Sequence, residues 1–151
     1  MKLLRTALFA ALLPLSAIAQ ETPAPTAAFA PVPAAEIVWA DLMYVKRPLV
    51  VFADSPNDPN FLRQMELIAR EPGELAERDV IVITDTDPDA RTEVRKKLRP
   101  RGFSLVLLDK DLKPVIRKPL PWEVREITHA IDKFPLRRQE IQQGAGSGAG
   151  G

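Results

Sequence analysis

The sequence contains no cysteine and a single histidine among its 151 residues. Without a thiolate, the chain itself is excluded from thiol–disulfide exchange and from cysteine-based peroxide reduction. No disulfide can stabilise the fold either, so the hydrophobic core must do so unaided. The sequence also has no marked excess of positive or negative charge, since it contains 21 basic and 20 acidic residues and has a formal net charge of +1. The overall charge therefore favours neither nucleic acid nor an acidic substrate as a partner.

The sequence also indicates no catalytic base. The one histidine, His129, lies off the apolar stripe of the last predicted helix, and no neighbouring residue is suited to orient it. We therefore interpret His129 as a surface residue. Ser55 and Ser104 lack the glycine-flanked setting of a nucleophilic serine. The sequence thus predicts no catalytic residue.

Both ends of the chain differ in composition from its middle. Residues 1–19 combine Lys2 and Arg5, a short apolar stretch and the small-residue site Ala17-Ile18-Ala19, which predicts a secretory signal cleaved near Ala19. The apolar stretch is too short to span a bilayer, so no transmembrane segment is expected in the mature chain. Residues 20–35 are rich in proline and alanine and predict a linker. Residues 142–151 predict a disordered Gly/Ala/Ser tail. We expect a periplasmic or secreted protein.

The middle of the chain, residues 36–141, predicts one α/β domain. Apolar runs at residues 49–53, 79–84 and 103–108 predict buried strands, and residues 115–117 predict the return strand of a hairpin. Helices are predicted at 60–70, from Asp87-Pro88 to about Leu98, and from Pro121 until Pro135 closes the last one. Right-handed crossovers predict that the first three strands are parallel, with the first strand in the middle. The resulting βαβαββα order, a four-stranded mixed sheet with helices on both faces, is the thioredoxin-like core.

Several segments together resemble one known family. They are Arg47-Pro48-Leu49-Val50-Val51-Phe52-Ala53, Arg63-Gln64, Glu77-Arg78-Asp79-Val80 and Phe134-Pro135-Leu136-Arg137-Arg138-Gln139-Glu140-Ile141. In these segments the chain resembles the secreted bacterial family of the P-DUDES domain, which also occurs in sushi-repeat extracellular matrix proteins. The resemblance implies a thioredoxin-like, peroxiredoxin-related fold and an extracytoplasmic location, and it carries over no catalytic residues. Where thioredoxins hold Cys-x-x-Cys this chain has residues 54–58, and Ser104 replaces their cis-proline.

Acidic residues follow the first two predicted strands. Because ligand sites in parallel sheets form at the carboxyl ends of strands, Asp54, Asp58, Asp85, Asp87 and Asp89 are expected at one edge. Asp58 and Asp87 each precede a proline and are predicted helix caps. Asp54, Asp85 and Asp89 are then candidate ligands for weak Ca²⁺ or Mg²⁺ binding. The simpler interpretation is that these three are solvated turn residues, and no other cofactor is predicted.

Basic residues form two groups, on the second predicted helix and near residue 137. Arg95, Lys96 and Arg99, with Arg137 and Arg138, are candidate contacts for an unknown protein or an envelope component. No aromatic residues alternate with these bases, which argues against nucleic acid. A solvated helix face is the other interpretation. The sequence therefore favours a non-catalytic periplasmic binding or scaffold module, with a metal-assisted enzyme or cation-binding domain at the Asp-rich loops as the alternative.

Overall fold

The computed structural model describes the backbone of residues 29–147 and the side chains of residues 29–144. The predicted signal peptide at 1–19, the first part of the predicted linker at 20–28 and the end of the predicted tail at 148–151 lie outside the described residues.

A five-stranded mixed sheet runs through the centre of the domain. Its strands are β1 (Val32–Pro33), β2 (Arg47–Phe52), β3 (Val80–Asp85), β4 (Ser104–Leu108) and β5 (Pro114–Lys118). They are ordered β1-β3-β2-β4-β5, with β1, β3 and β2 parallel. β4 is antiparallel to β2, and β5 is antiparallel to β4. The predicted βαβαββα domain with four strands thus corresponds to a mixed α/β fold with five.

The extra strand comes from the predicted linker. Val32 and Pro33 pair with Ile83 and Thr84 of β3, and the adjacent Ala34 is buried. A two-residue strand is too short to produce an alternating pattern, and proline is tolerated because β1 lies at the edge of the sheet. Ordered structure therefore begins before residue 36.

The direction of β4 differs from the sequence prediction. β4 lies on the predicted side of β2, but the expected parallel pairing is wrong, because Phe52 at the end of β2 faces Ser104 at the start of β4. The helix before β4 has only six residues, or about 9 Å of length, whereas the six-residue strand β2 extends for about 20 Å. α3 by itself therefore does not span the length of β2, and the chain between β3 and β4 stays at the carboxyl end of the sheet. β4 consequently starts where β2 ends.

Helices and short 3₁₀ turns flank the sheet within residues 30–147. The helices are α1 (Pro59–Arg70), α2 (Pro72–Ala76), α3 (Glu93–Leu98), α4 (Val124–Ile131) and α5 (Pro135–Ser147), and the turns are Ala34–Glu36, Trp39–Leu42 and Pro88–Ala90. α1, α2 and α4 pack on one face around Leu49 and Val51. α3 and the first two turns pack on the other face around Val50 and Phe52. Alternate residues of β2 thus belong to two separate cores, as expected for a strand buried on both faces.

Helix boundaries differ from their predictions in three places, one of which is the start of α4 at Val124 rather than at Pro121. Asp87-Pro88 opens only a turn, because Arg91 has a left-handed backbone (φ +46°) and Thr92 caps a new helix, α3, by accepting from the Arg95 amide. Pro135 begins α5 rather than ending α4, since proline is accommodated in the first helical turn. α5 reaches Ser147 and so enters the segment 142–151 for which a disordered tail is predicted.

Candidate functional site

An arginine fills the space at the carboxyl ends of β2 and β3. The Arg95 guanidinium donates from Nε (3.0 Å) and Nη2 (2.8 Å) to Oδ1 of Asp85, and from Nη2 to the backbone oxygens of Ala53 (3.0 Å) and Asp85 (3.1 Å). Thr92 Oγ1 donates to the other Asp85 oxygen at 2.6 Å. The guanidinium also lies 5.4 Å from the centre of the Phe52 ring, within the range of a cation–π contact. Asp85, whose side chain is 1% exposed, is thereby neutralised and fully hydrogen-bonded.

The other acidic residues of this edge have separate roles. Asp58 caps α1 by accepting from the amides of Asn60 and Phe61, which confirms its predicted role. Asp87 accepts from the amide of Asp89 and caps only the Pro88–Ala90 turn, not the longer helix predicted there. Asp54 is 65% exposed and lies 3.9 Å from Arg95 Nη1. Asp89 is exposed.

The predicted metal ligands therefore lie in different surroundings: Asp54 and Asp89 are exposed, and Asp85 is bound to Arg95. Within residues 29–144, no three His, Cys, Asp or Glu side chains are grouped so that they could hold a metal ion.

The predicted contact residues divide into two classes. Arg95 is bonded to Asp85, and Arg137 lies 3.4 Å from Glu140 and 3.5 Å from Asp132, so both are engaged within the domain. Lys96, Arg99 and Arg138 are exposed. Of these three, Arg99 lines a depression beside the start of β4.

Three arginines surround this depression, which we call the arginine groove. It has a volume of about 460 Å³, and its lining residues are Arg99, Arg101, Phe103, Ser104, Arg117 and Pro119. Two positive φ angles, at Arg99 (+47°) and Gly102 (+56°), turn the chain between α3 and β4. The turn places Arg99 and Arg101 on the wall formed by the connection, opposite residues of β5 and the segment that follows it. Glycine is suited to the second position because it adopts positive φ without strain.

Arg117 reaches the groove from β5 and is held in place by neutral groups. Its Nη1 donates to Ser104 Oγ at 3.3 Å, and its Nη2 donates to the backbone oxygen of Leu98 at 2.6 Å. These two bonds use two of the five N–H donors of a guanidinium. Among the described side chains, no carboxylate lies within ion-pair distance of Arg99, Arg101 or Arg117. The groove therefore carries three positive charges that the domain does not compensate.

Sequence reasoning did not select Arg117 as a site residue. It is 18 residues from Arg99 in sequence, and only the β4–β5 pairing, in which Arg117 faces Val106, brings the two together. One signal was present, because Arg117 is a charged residue following two apolar ones, Val115 and Ile116, in a predicted edge strand.

A second ion network lies at the opposite end of β2. The fully buried Arg47 donates to Asp109 (3.0 Å), to the backbone oxygen of Arg78 (2.9 Å) and to Glu140 of α5 (3.0 Å). Lys110 Nζ lies 2.8 Å from the same Glu140 oxygen. Burial alone would raise the pKa of Glu140, but the hydrogen bonds from Lys110 and Arg47 lower it to about 2.

Neighbouring pairs extend this network. Arg78 binds Asp132 through two hydrogen bonds of 3.0 and 2.9 Å, which lower the pKa of the Asp132 carboxyl. Lys110 also binds Asp79 at 2.7 Å; burial lowers the pKa of Lys110, but this hydrogen bond and the one to Glu140 raise it overall. Arg47, Arg78, Asp79 and Glu140 all come from the segments that carry the family resemblance. In this structure Arg47, Asp79 and Lys110 attach α5 to the sheet through Glu140, and Arg78 holds Asp132 at the end of α4. These are architectural roles.

None of the helices within residues 29–147 combines the length and apolar character that crossing a bilayer requires. One similar solved structure is that of chloroplastic thioredoxin z, with 19% sequence identity and a TM-score of 0.46; the match covers 59% of this chain and 78% of the thioredoxin chain. No curated protein matches the sequence. A family model described as a domain of unknown function (DUF4174) matches residues 40–140. Because this match covers more than half of the sequence, the chain belongs to the DUF4174 family.

Proposed function

We propose that this protein is a non-catalytic binding or scaffold module with a thioredoxin-like fold that works in the periplasm or outside the cell. The strand order, with three parallel strands followed by an antiparallel hairpin, supports the fold. The basic start, apolar stretch and small-residue site of residues 1–19 support export. The resemblance to the P-DUDES family agrees with both.

The arginine groove is the observation that carries this proposal. Crowding like charges on one surface is unfavourable unless they are compensated, and Arg47, Arg78, Arg95 and Lys110 are each paired with an acid. Arg99, Arg101 and Arg117 have no acid of the described residues within ion-pair distance, and they line the same depression. A cationic surface of this kind attracts and orients an anionic partner. We therefore assign the groove as the contact surface for an anionic protein or envelope component.

Catalysis of its own is not part of this proposal. The sequence has no cysteine for thiol chemistry. The metal-assisted alternative stays a prediction, and it would require Asp85 to exchange the bidentate guanidinium of Arg95 for a cation. Calorimetry with millimolar calcium tests it: heat that disappears in an Asp54→Asn/Asp85→Asn double variant would support a site at these loops.

A crosslinking capture from intact cells tests the binding function. We compare three forms of the chain: the wild type, a groove variant and a control variant that removes the same amount of charge. The groove variant carries Arg99→Gln, Arg101→Gln and Arg117→Gln. The control carries Arg91→Gln, Lys96→Gln and Lys97→Gln, three bases of the same region that do not line the groove.

We expect the groove variant to lose the partners that the wild type and the control both retain. Equal capture by all three forms would show that the groove is only a solvated surface. Equal loss in both variants would show that net charge, rather than this site, determines capture.

A further inference from the structure

We infer that the ligand of the arginine groove is a phosphate group, an inference that rests on the groove being the contact surface. The geometry that points to it is the arrangement of Arg99, Arg101 and Arg117 around one depression, with no acid of the described residues in ion-pair distance. Three guanidiniums at one opening match a ligand whose negative charge is concentrated at one point.

Charge and geometry distinguish phosphate from carboxylate. A phosphate monoester carries about −1.5 to −2 at pH 7 and offers three strong acceptor oxygens. A carboxylate carries one charge and two oxygens, and it would leave most of the charge of the three arginines uncompensated. Arginine binds phosphate through paired N–H donors, which gives orientation as well as attraction.

The guanidinium N–H groups of Arg117 are already oriented in the unbound protein. Its bonds to Ser104 and to the backbone oxygen of Leu98 restrict the side chain, so less rotational freedom is lost when its remaining N–H groups bind an anion. Arg99 and Arg101 make no side-chain hydrogen bond within the described part of the chain, and all their donors remain available. One anchored and two adaptable arginines suit an anion that enters from solvent.

The groove is larger than a phosphate group alone requires. A volume of about 460 Å³ lies within the roughly 300–1,000 Å³ typical of small-ligand sites. It therefore has room for part of the molecule that carries the phosphate. Pro119 and the edge of Phe103 supply apolar wall for that part. The shared chemistry is a terminal phosphate monoester, either on a soluble molecule or on a lipid headgroup.

A matched pair of small probes tests the inference. N-acetyl-O-phosphoserine amide and N-acetyl-aspartate amide differ mainly in carrying a phosphate or a carboxylate. Each is titrated into the chain at pH 7.5 and constant ionic strength, and the backbone amide shifts of Ser104 and Arg117 are followed by NMR. We expect the phosphate probe to bind about tenfold more tightly than the carboxylate probe, with shifts concentrated at these residues.

Substitutions inside and outside the groove test whether the phosphate probe binds there. An Arg99→Gln/Arg101→Gln variant removes no side-chain hydrogen bond or ion pair among the described residues. It is expected to weaken the phosphate probe about tenfold or more, while the Arg91→Gln/Lys96→Gln/Lys97→Gln control stays within about twofold. Arg117→Lys keeps the charge but removes the planar donor pair, and a several-fold weakening is expected. Unchanged affinity in the double variant would overturn the inference.

Two further results separate the possible outcomes. Sedimentation with phosphatidylcholine vesicles, with and without phosphatidic acid, distinguishes a lipid headgroup from a soluble phosphate. Binding to the vesicles with phosphatidic acid that depends on the groove would identify the ligand as a lipid headgroup. Binding of the soluble phosphate probe without binding to these vesicles would identify it as a small molecule. If both probes bind equally through the groove, the phosphate inference fails while the proposed binding function stands. If neither probe responds to the groove variants and cellular capture is also unaffected, both fail.

Discussion

Glu140 should contribute measurably to stability although it lies on the last helix. Its carboxylate contacts Arg47 at 3.0 Å and Lys110 at 2.8 Å. Its pKa is lowered from 4.5 to about 2, which corresponds to about 3 kcal/mol of preferential stabilisation of the charged form. Since 28% of the side chain is exposed, solvent screening reduces this to about 2 kcal/mol. We therefore expect Glu140→Gln to lower the free energy of unfolding by about 2 kcal/mol at pH 7.

The pH dependence gives the sharper test. Because the folded-state pKa is lower than the unfolded one, the contribution is complete above about pH 4.5 and is lost as the pH falls toward 2. Urea unfolding of wild type and variant, followed by tryptophan fluorescence, should therefore differ at pH 7 and converge near pH 2. The control is Glu66→Gln, which removes an exposed carboxylate of α1 and should change stability little, because exposed ion pairs are screened by solvent. A Glu140→Gln effect as small as the control, or one that is the same at both pH values, would refute the reasoning.

Three further predictions concern other parts of the chain. Arg95→Gln leaves Asp85 buried without its cation and should cost about 3–5 kcal/mol, whereas Lys96→Gln on the exposed face should stay within about 0.5 kcal/mol; similar melting of the two variants would contradict the ion pair. Val51→Asp places an unpaired carboxylate in a fully buried position of β2 and should cost several kcal/mol, on the order of the whole stability of a small domain; a variant that melts within a few degrees of the wild type would remove Val51 from the core. Mass spectrometry of the exported protein should find a first residue at or near Gln20, and an intact amino terminus would show that the predicted signal is retained.

The strands were the most predictable part of the fold. Continuous apolar runs produced β2, β3 and β4 with boundaries accurate to one or two residues, because burial on both faces requires such runs. The direction of β4 relative to β2 could not be predicted from those apolar runs. This direction depends on a connection that stays at the carboxyl end of the sheet, and the left-handed conformation at Arg91 within that connection has no strong signature in a non-glycine residue.

The sites were less predictable than the strands because they depend on pairing across the fold. The sequence identified Arg95 and Asp85 separately, one as a partner contact and the other as a metal ligand, and the structure joins them to each other. Ten residues separate the two, with a turn and a helix start between them, so no fixed helical or strand spacing relates them. Arg47 and Glu140 are 93 residues apart and were quoted only as parts of family segments. Local periodicity carries no information about such contacts.

Arg95 gives the carboxyl edge of the sheet an occupant of its own. Its Nη2 group binds the backbone oxygen of Ala53, just after the end of β2, and that of Asp85, the last residue of β3. These are acceptors that a ligand would otherwise use. In open α/β sheets a ligand usually binds at this position. Here the Arg95 side chain occupies it. Thiols introduced at residues 54–58 would consequently sit beside a guanidinium already committed to Asp85. Introducing a Cys-x-x-Cys sequence there would therefore not by itself create the electrostatic environment of a redox site.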